Sequence, residues 1–257
     1  LACAIGASVT SIGVFVATRW EADAVRQAFS ITHLRSIGGI RCVVAPRPQV
    51  DWWIIPMGVG PERAAAIARM VLAQERFSAV WSAGFACALG AARIGDVLIG
   101  TRVSVEDETN RQNSSECSPA MIEWARQAMQ HFSVQIGPFV TVPRVLCRAD
   151  DKQAIAERTG AIGLDMESAA LGLVASERQI PFAIVRTVSD LVDEDLPLDF
   201  NLFLRPSGWA KGVAACLAHP TSLIELNRLR VQSRVAGTQL TAAYQACADG
   251  AVFEGVA

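Results

Sequence analysis

Four short stretches of the chain hold residue types that can do polar chemistry at a fixed place. Asp165-Met166-Glu167 stands between a short apolar run and a long alanine-rich one. Carboxylates at such a point either complement the positive end of a helix dipole or accept hydrogen bonds from neighbouring hydroxyls, as on a ribose diol. Ser189-Asp190 follows directly on an apolar run that carries Arg186. A carboxyl at the mouth of an apolar pocket gains proton affinity by desolvation and can then donate a proton. The plainer reading is a loop aspartate opening the acidic turn Asp193, Glu194, Asp195. Glu21, in Ala17-Thr18-Arg19-Trp20-Glu21, is by default another helix-start carboxylate. Gly58-Val59-Gly60-Pro61 is either a phosphate-cradling turn or a tight strand-to-helix turn. It lacks the third glycine and the acidic partner of a dinucleotide fingerprint, which disfavours a nucleotide-dependent oxidoreductase.

The elements that must position these groups alternate in character. Apolar β-branched runs at 13–17, 41–45, 52–57, 78–83, 96–101, 134–142, 161–164 and 182–188 read as strands. Helical patterns at 21–29, 62–75, 119–131, 150–158 and 167–178 fall between them, with Pro61 suited to a first helical turn. This alternation implies βαβ units on a parallel sheet, with ligands at the C-terminal ends of the strands. Residues 110–118 are polar and read as a loop. Beyond Pro197 two helices are expected, 200–219 and 222–246, the second with Leu223, Leu226, Leu229 and Leu240 near helical spacing. They are expected to pack, as helices within 200–248, on a single domain spanning 1–257. The fold class is therefore a three-layer α/β/α sandwich with a mixed, mostly parallel central sheet.

Composition narrows the function. Of 257 residues 51% are hydrophobic and 19% charged, a globular balance, and the net charge of -2 offers no basic surface for nucleic acid. The seven cysteines are dispersed with no C-x-x-C pair, and the three histidines are equally scattered, so buried free thiols are expected and no metal site. The apolar stretch 2–17 lacks the basic leading segment of a signal peptide, and its part 12–17 reads as a buried first strand. No run reaches the roughly 18 apolar residues of a membrane span, and a cytoplasmic protein is expected.

Taken in order, the motifs resemble the purine nucleoside phosphorylase and nucleosidase superfamily, most visibly its methylthioadenosine/adenosylhomocysteine nucleosidase branch. The matching blocks are Ala17-Thr18-Arg19-Trp20-Glu21, Gly58-Val59-Gly60, Ser82-Ala83-Gly84-Phe85-Ala86-Cys87-Ala88-Leu89 with Ile94-Gly95-Asp96-Val97, Leu164-Asp165-Met166-Glu167-Ser168-Ala169-Ala170, and Pro181 through Asp190. The resemblance implies that Asp190 protonates the purine at N7 as the base leaves and that Glu21 activates the attacking water. It implies that Glu167 holds ribose hydroxyls and Met166 lines the sugar face, with Ser189 and Arg186 in support. Gly84, Phe85 and Val145 fall on the expected pocket wall. No cofactor is implied. A homodimer or higher homo-oligomer is.

Three positions depart from the family pattern. Cys87 stands where the small-residue loop usually has glycine, with bulky Phe85 beside it. Val142-Pro143-Arg144-Val145 replaces the aromatic stretch that stacks on adenine. Trp81 stands where hexameric phosphorylases carry a phosphate-binding arginine, although Arg19 or Arg63 could serve another phosphate site. Thr159-Gly160-Ala161, Leu196-Pro197 and the Pro220, Leu223, Leu226, Leu229 series resemble the hopanoid-associated nucleoside phosphorylases. That branch implies an adenosyl-hopane substrate and transient contact with a lipid-linked molecule. The expectation is cleavage of the N-glycosidic bond of an adenine-type nucleoside, by water or by phosphate. The rival is a non-catalytic nucleoside-binding protein of the same fold.

Overall fold

The computed structural model describes residues 10–106, 114–196 and 221–250. In chain order it runs β1 (Thr10–Val16), α1 (Arg19–Gln27), β2 (His33–Ile37), β3 (Ile40–Ala45), β4 (Val50–Pro56), α2 (Pro61–Gln74), β5 (Ala79–Ala88) and β6 (Val97–Val105). It continues with β7 (Ser114–Glu116), α3 (Pro119–Ala128), β8 (Val134–Thr141), α4 (Ala149–Thr159), β9 (Gly163–Asp165), α5 (Ser168–Glu177), β10 (Phe182–Leu191) and α6 (Thr221–Asp249). The helix expected at 200–219 lies outside the described residues.

Strand alternation assigns the two faces. Ile12, Val14 and Val16 of β1 point to one side, where they pack with Trp52, Trp81, Val25 of α1, Trp124 of α3 and Tyr244 of α6. Phe15 points to the other, with Ile55, Val71 of α2 and Leu171 of α5. The α/β layering is that expected. α6 is tied on by Thr187 Oγ1 donating to the Ala236 carbonyl and Thr241 Oγ1 to that of Ala24.

The sheet is mixed, with a larger antiparallel share than the βαβ alternation implies. Parallel pairing runs through β4, β1, β5 and β10, and again through β6, β8 and β9. The β2–β3–β4 edge and the joints β5–β9 and β10–β6 are antiparallel. Because β10 pairs with both β5 and β6, and β9 with both β5 and β8, these five strands close on themselves. Closure of a twisted sheet leaves no free edge on that side. It also brings the ends of β5, β9 and β10 around one opening.

Two local differences from the sequence reading have simple causes. β2 has an exposed face almost throughout, so it lacks an apolar signature, and only the Gly38-Gly39 turn before β3 marks it as half of a hairpin. Ser114–Glu116, within the stretch expected as loop, pairs with β6 as an edge strand. Cys42, Cys87, Cys117 and Cys247 are buried free thiols.

Candidate active site

Asp165 and Glu167 divide between them the two roles open to a helix-start carboxylate. Glu167 occupies the N-cap position of α5, but Asp165 makes the capping bonds: its Oδ1 accepts from the Glu167 and Ser168 backbone N–H groups at 3.2 Å each and from Thr141 Oγ1 at 2.6 Å. That leaves Glu167 free of its own helix. Its Oε1 accepts instead from the Gly60 N–H at 2.9 Å, at the turn that opens α2.

Both carboxylates meet Arg186, which has 1% of its surface exposed. Its Nε lies 2.8 Å from Asp165 Oδ2, its Nη2 3.7 Å from Glu167 Oε2 and its Nη1 4.0 Å from Glu21 Oε1. Nη1 also donates to the Phe85 carbonyl at 2.8 Å, and Nη2 to Ser82 Oγ at 3.0 Å. Ser82 and Ser168 complete the cradle, their hydroxyls 2.7 Å apart. Burial works against the guanidinium charge, but the three carboxylates outweigh it and hold its proton more tightly. One buried cation cannot balance three buried anions, so one carboxyl tends to keep a proton. Glu167 is that group: burial pushes it up to about 8 against the pull of Arg186, with Asp165 and Glu21 adding to the rise and the Gly60 N–H opposing it. Near neutrality Glu167 can therefore donate a hydrogen bond to a hydroxyl group as well as accept one.

A stability effect follows from that shift. The folded state keeps a proton on Glu167 that the unfolded chain, with a carboxyl near 4.5, has already lost. This contribution is complete below the unfolded value and disappears as the pH rises through the folded one. Glu167→Gln is thus expected to gain melting temperature relative to the parent as the pH is raised from about 5 to about 9. A difference that stays flat in a thermal-melt series would contradict the assignment.

Glu21 is both cap and site residue. It forms a capping box with Thr18, its Oε2 accepting from Thr18 N at 2.7 Å and Thr18 Oγ1 at 2.8 Å. Its Oε1 accepts from the Phe85 N–H at 2.8 Å. A carboxylate offers about four lone-pair sites, so three donors leave room for one more, such as a water. Gly84 makes this arrangement possible. It has φ +146°, and a Cβ there would lie 2.1 Å from Glu21 Oε1. Gly84 is thus a spacer under Glu21 rather than part of the cleft lining.

Asp190 sits where β10 bulges between Val188 and Asp190, an irregularity that re-aims the strand end. Ser189 Oγ donates to Asp190 Oδ1 at 3.0 Å, and Lys152 Nζ to Oδ2 at 2.9 Å.

These groups line one cleft of about 230 Å³, together with Met166, Val59, Phe85, Cys87, Val145 and Leu146. The geometry thus unites Asp190, Glu21, Glu167, Met166, Ser189, Arg186, Phe85 and Val145, with Gly84 one layer behind. Trp81 faces away from it. Its ring packs in the core 5.6 Å from Trp52 and 5.3 Å from Trp124. Arg19 and Arg63 are exposed and line no part of the cleft.

The family model described as phosphorylase superfamily matches residues 11–210. The chain belongs to the phosphorylase superfamily. Within it, the chain is 24% identical over 206 residues to a 5'-methylthioadenosine/S-adenosylhomocysteine nucleosidase of Buchnera aphidicola, a span covering 74% of this chain and 88% of that one. The corresponding protein of Shewanella denitrificans is 22% identical over 77% of this chain and 93% of its own. Among solved structures, a nucleosidase of the same description from Neisseria meningitidis, in complex with methylthio-immucillin-A, superposes with a TM-score of 0.69 at 18% identity. That superposition covers 92% of this chain and 98% of the other. A futalosine hydrolase mutant of Helicobacter pylori gives 0.67 at 19% identity, over 82% and 99%. These similarities establish the superfamily fold in this chain.

Sequence reading missed four contributors to this arrangement. Ser82 and Ser168 lay inside quoted motifs, but nothing local shows that they cradle Arg186. Thr18 opens a visible S/T-x-x-E capping box with Glu21, a signal that could have been used. Lys152 gave no signal, since its partner lies on another element.

Proposed function

We propose that the chain cleaves the N-glycosidic bond of an adenine-type purine nucleoside, with water as the acceptor. The observation that carries this is the single cleft in which a carboxylate cluster on Arg186 faces Asp190. In the proposed reaction the sugar sits over Glu167 and Met166 and the base reaches toward Asp190. As the bond breaks, positive charge develops on the sugar ring, and the nearby carboxylates of Glu21 and Asp165 stabilise it, while Glu167 holds the sugar hydroxyls. A proton delivered from Asp190 to N7 lets the base leave neutral. Glu21 accepts a proton from the water through its remaining lone pair.

The same charges disfavour a phosphate acceptor. Arg186 is spent on three carboxylates, and the donors of Lys152 are already taken. A phosphate would approach against that negative field. The nucleosidases and the hydrolase among the relatives support the same choice. Val59, Val145, Leu146 and Leu196 give the cleft an apolar lining, which supports a substrate with an apolar 5′ substituent. Adenosylhopane belongs to that class, as does 5′-methylthioadenosine.

The test is free-base release from adenosine, inosine, guanosine, 5′-methylthioadenosine and a long-chain 5′-alkyl adenosine, with and without phosphate. Release of adenine at equal rates in both buffers is expected. Release that requires phosphate and yields ribose 1-phosphate would replace water as the acceptor. Binding without release from any substrate would favour the non-catalytic reading.

A further inference from the structure

Lys152, in the first turn of α4, has 1% of its surface exposed. A lysine is rarely buried so completely unless it is paired. Its ammonium has three donors, and all are used: Asp190 Oδ2 at 2.9 Å, the Leu191 carbonyl at 3.1 Å and the Glu194 carbonyl at 3.0 Å. The charged and titratable groups facing it come from three places. Asp190 comes from β10, Cys87 from β5, and Glu194 from the segment after β10. The Cys87 thiol is pushed up by burial and by Asp190, and so stays neutral. The Glu194 carboxylate is engaged by Arg228 and Gln232 of α6. Asp190 is therefore the anionic partner that Lys152 shares with the cleft.

This pairing alters the proton economy of the site. An aspartate alone in an apolar pocket acquires a proton by desolvation, but a cation in direct contact reverses that preference. Here Nζ, with its protons, lies 2.9 Å from Oδ2 of the carboxyl that faces the base.

We propose, on the reading that this site cleaves nucleosides, that Lys152 is the source of the proton that leaves with the base, passed through Asp190. As C1′–N9 breaks, its electron pair moves onto the purine. N7 takes a proton from the Asp190 carboxyl, and Asp190 takes one from Nζ, leaving a neutral amine. Glu21 takes the proton lost by the attacking water and returns it to solvent. Solvent restores one proton to Lys152 by way of Asp190, whose side chain is 16% exposed, so protons and charge balance. Lys152 touches no reacting atom and acts through Asp190.

The experiment compares two leaving groups on the full chain: adenine, which needs a proton, and p-nitrophenolate from a p-nitrophenyl riboside, which does not. Lys152→Met is expected to lose about 10²-fold or more in adenine release while p-nitrophenolate release stays within a few-fold of the parent. Lys152→Arg keeps the charge and the pair but holds its protons too tightly to give one up. It is expected to show the same split, and it carries the test if Lys152→Met does not fold. Equal losses for both leaving groups, or full adenine release by Lys152→Arg, would overturn the proposal and leave Lys152 as a structural ion-pair partner. A parent chain inert to both substrates overturns the underlying nucleoside reading itself.

Discussion

Asp190→Asn lowers base release by about 10²- to 10⁴-fold on this account, while nucleoside affinity stays within a few-fold. The carboxamide has nearly the shape of the carboxyl. Its oxygen can still accept from Lys152 Nζ or from Ser189 Oγ, the two partners that hold Asp190 now. The β10 bulge and the cleft wall should therefore persist. What is lost is a group that can take a proton and pass it on. Single-turnover kinetics beside calorimetric titration separate the two quantities. A loss smaller than about tenfold would remove Asp190 from the chemistry. A parallel collapse of binding would instead make it a structural residue.

Arg186→Met has the largest expected effect on stability. Asp165 has 1% of its side chain exposed, and Glu21 and Glu167 5% each, so all three would be left in the interior without their cation. Breaking one side of a buried ion pair typically costs about 3–5 kcal/mol. The cost should shrink as the pH is lowered, because protonating the orphaned carboxyls removes the buried charge. Urea unfolding of parent and variant at neutral and acidic pH measures both. A change below about 1 kcal/mol at neutral pH would mean that the cluster is not electrostatically coupled as the distances indicate.

How much of this could be read from the chain differs from residue to residue. Asp190 and Glu167 stood at element ends that the apolar runs located well, so their arrival in one cleft was foreseeable. For Glu21, capping and site roles seemed to compete, but the Phe85 N–H and Thr18 bind different oxygens of one carboxylate and allow both. For Asp165-Met166-Glu167 the roles divide by residue, which depends on side-chain direction and not on spacing. Trp81 stands where hexameric phosphorylases carry a phosphate-binding arginine, a comparison by position alone. Alternation along β5 instead turns it into the aromatic core and turns Ser82 to Arg186. The closed five-strand ring has no local signature, since β10 must find both β5 and β6. Lys152 was hidden for the same reason. On its own helix it looks like one more polar position, and only the tertiary fold sets it 38 residues away against Asp190.

The most direct measurement is chromatographic quantitation of adenine and sugar from 5′-methylthioadenosine incubated with the purified chain in phosphate-free buffer. The account predicts one free adenine for each free sugar, with catalytic turnover, and abolition of both by Asp190→Asn. Intact nucleoside after prolonged incubation, with binding demonstrated in the same sample, would contradict it.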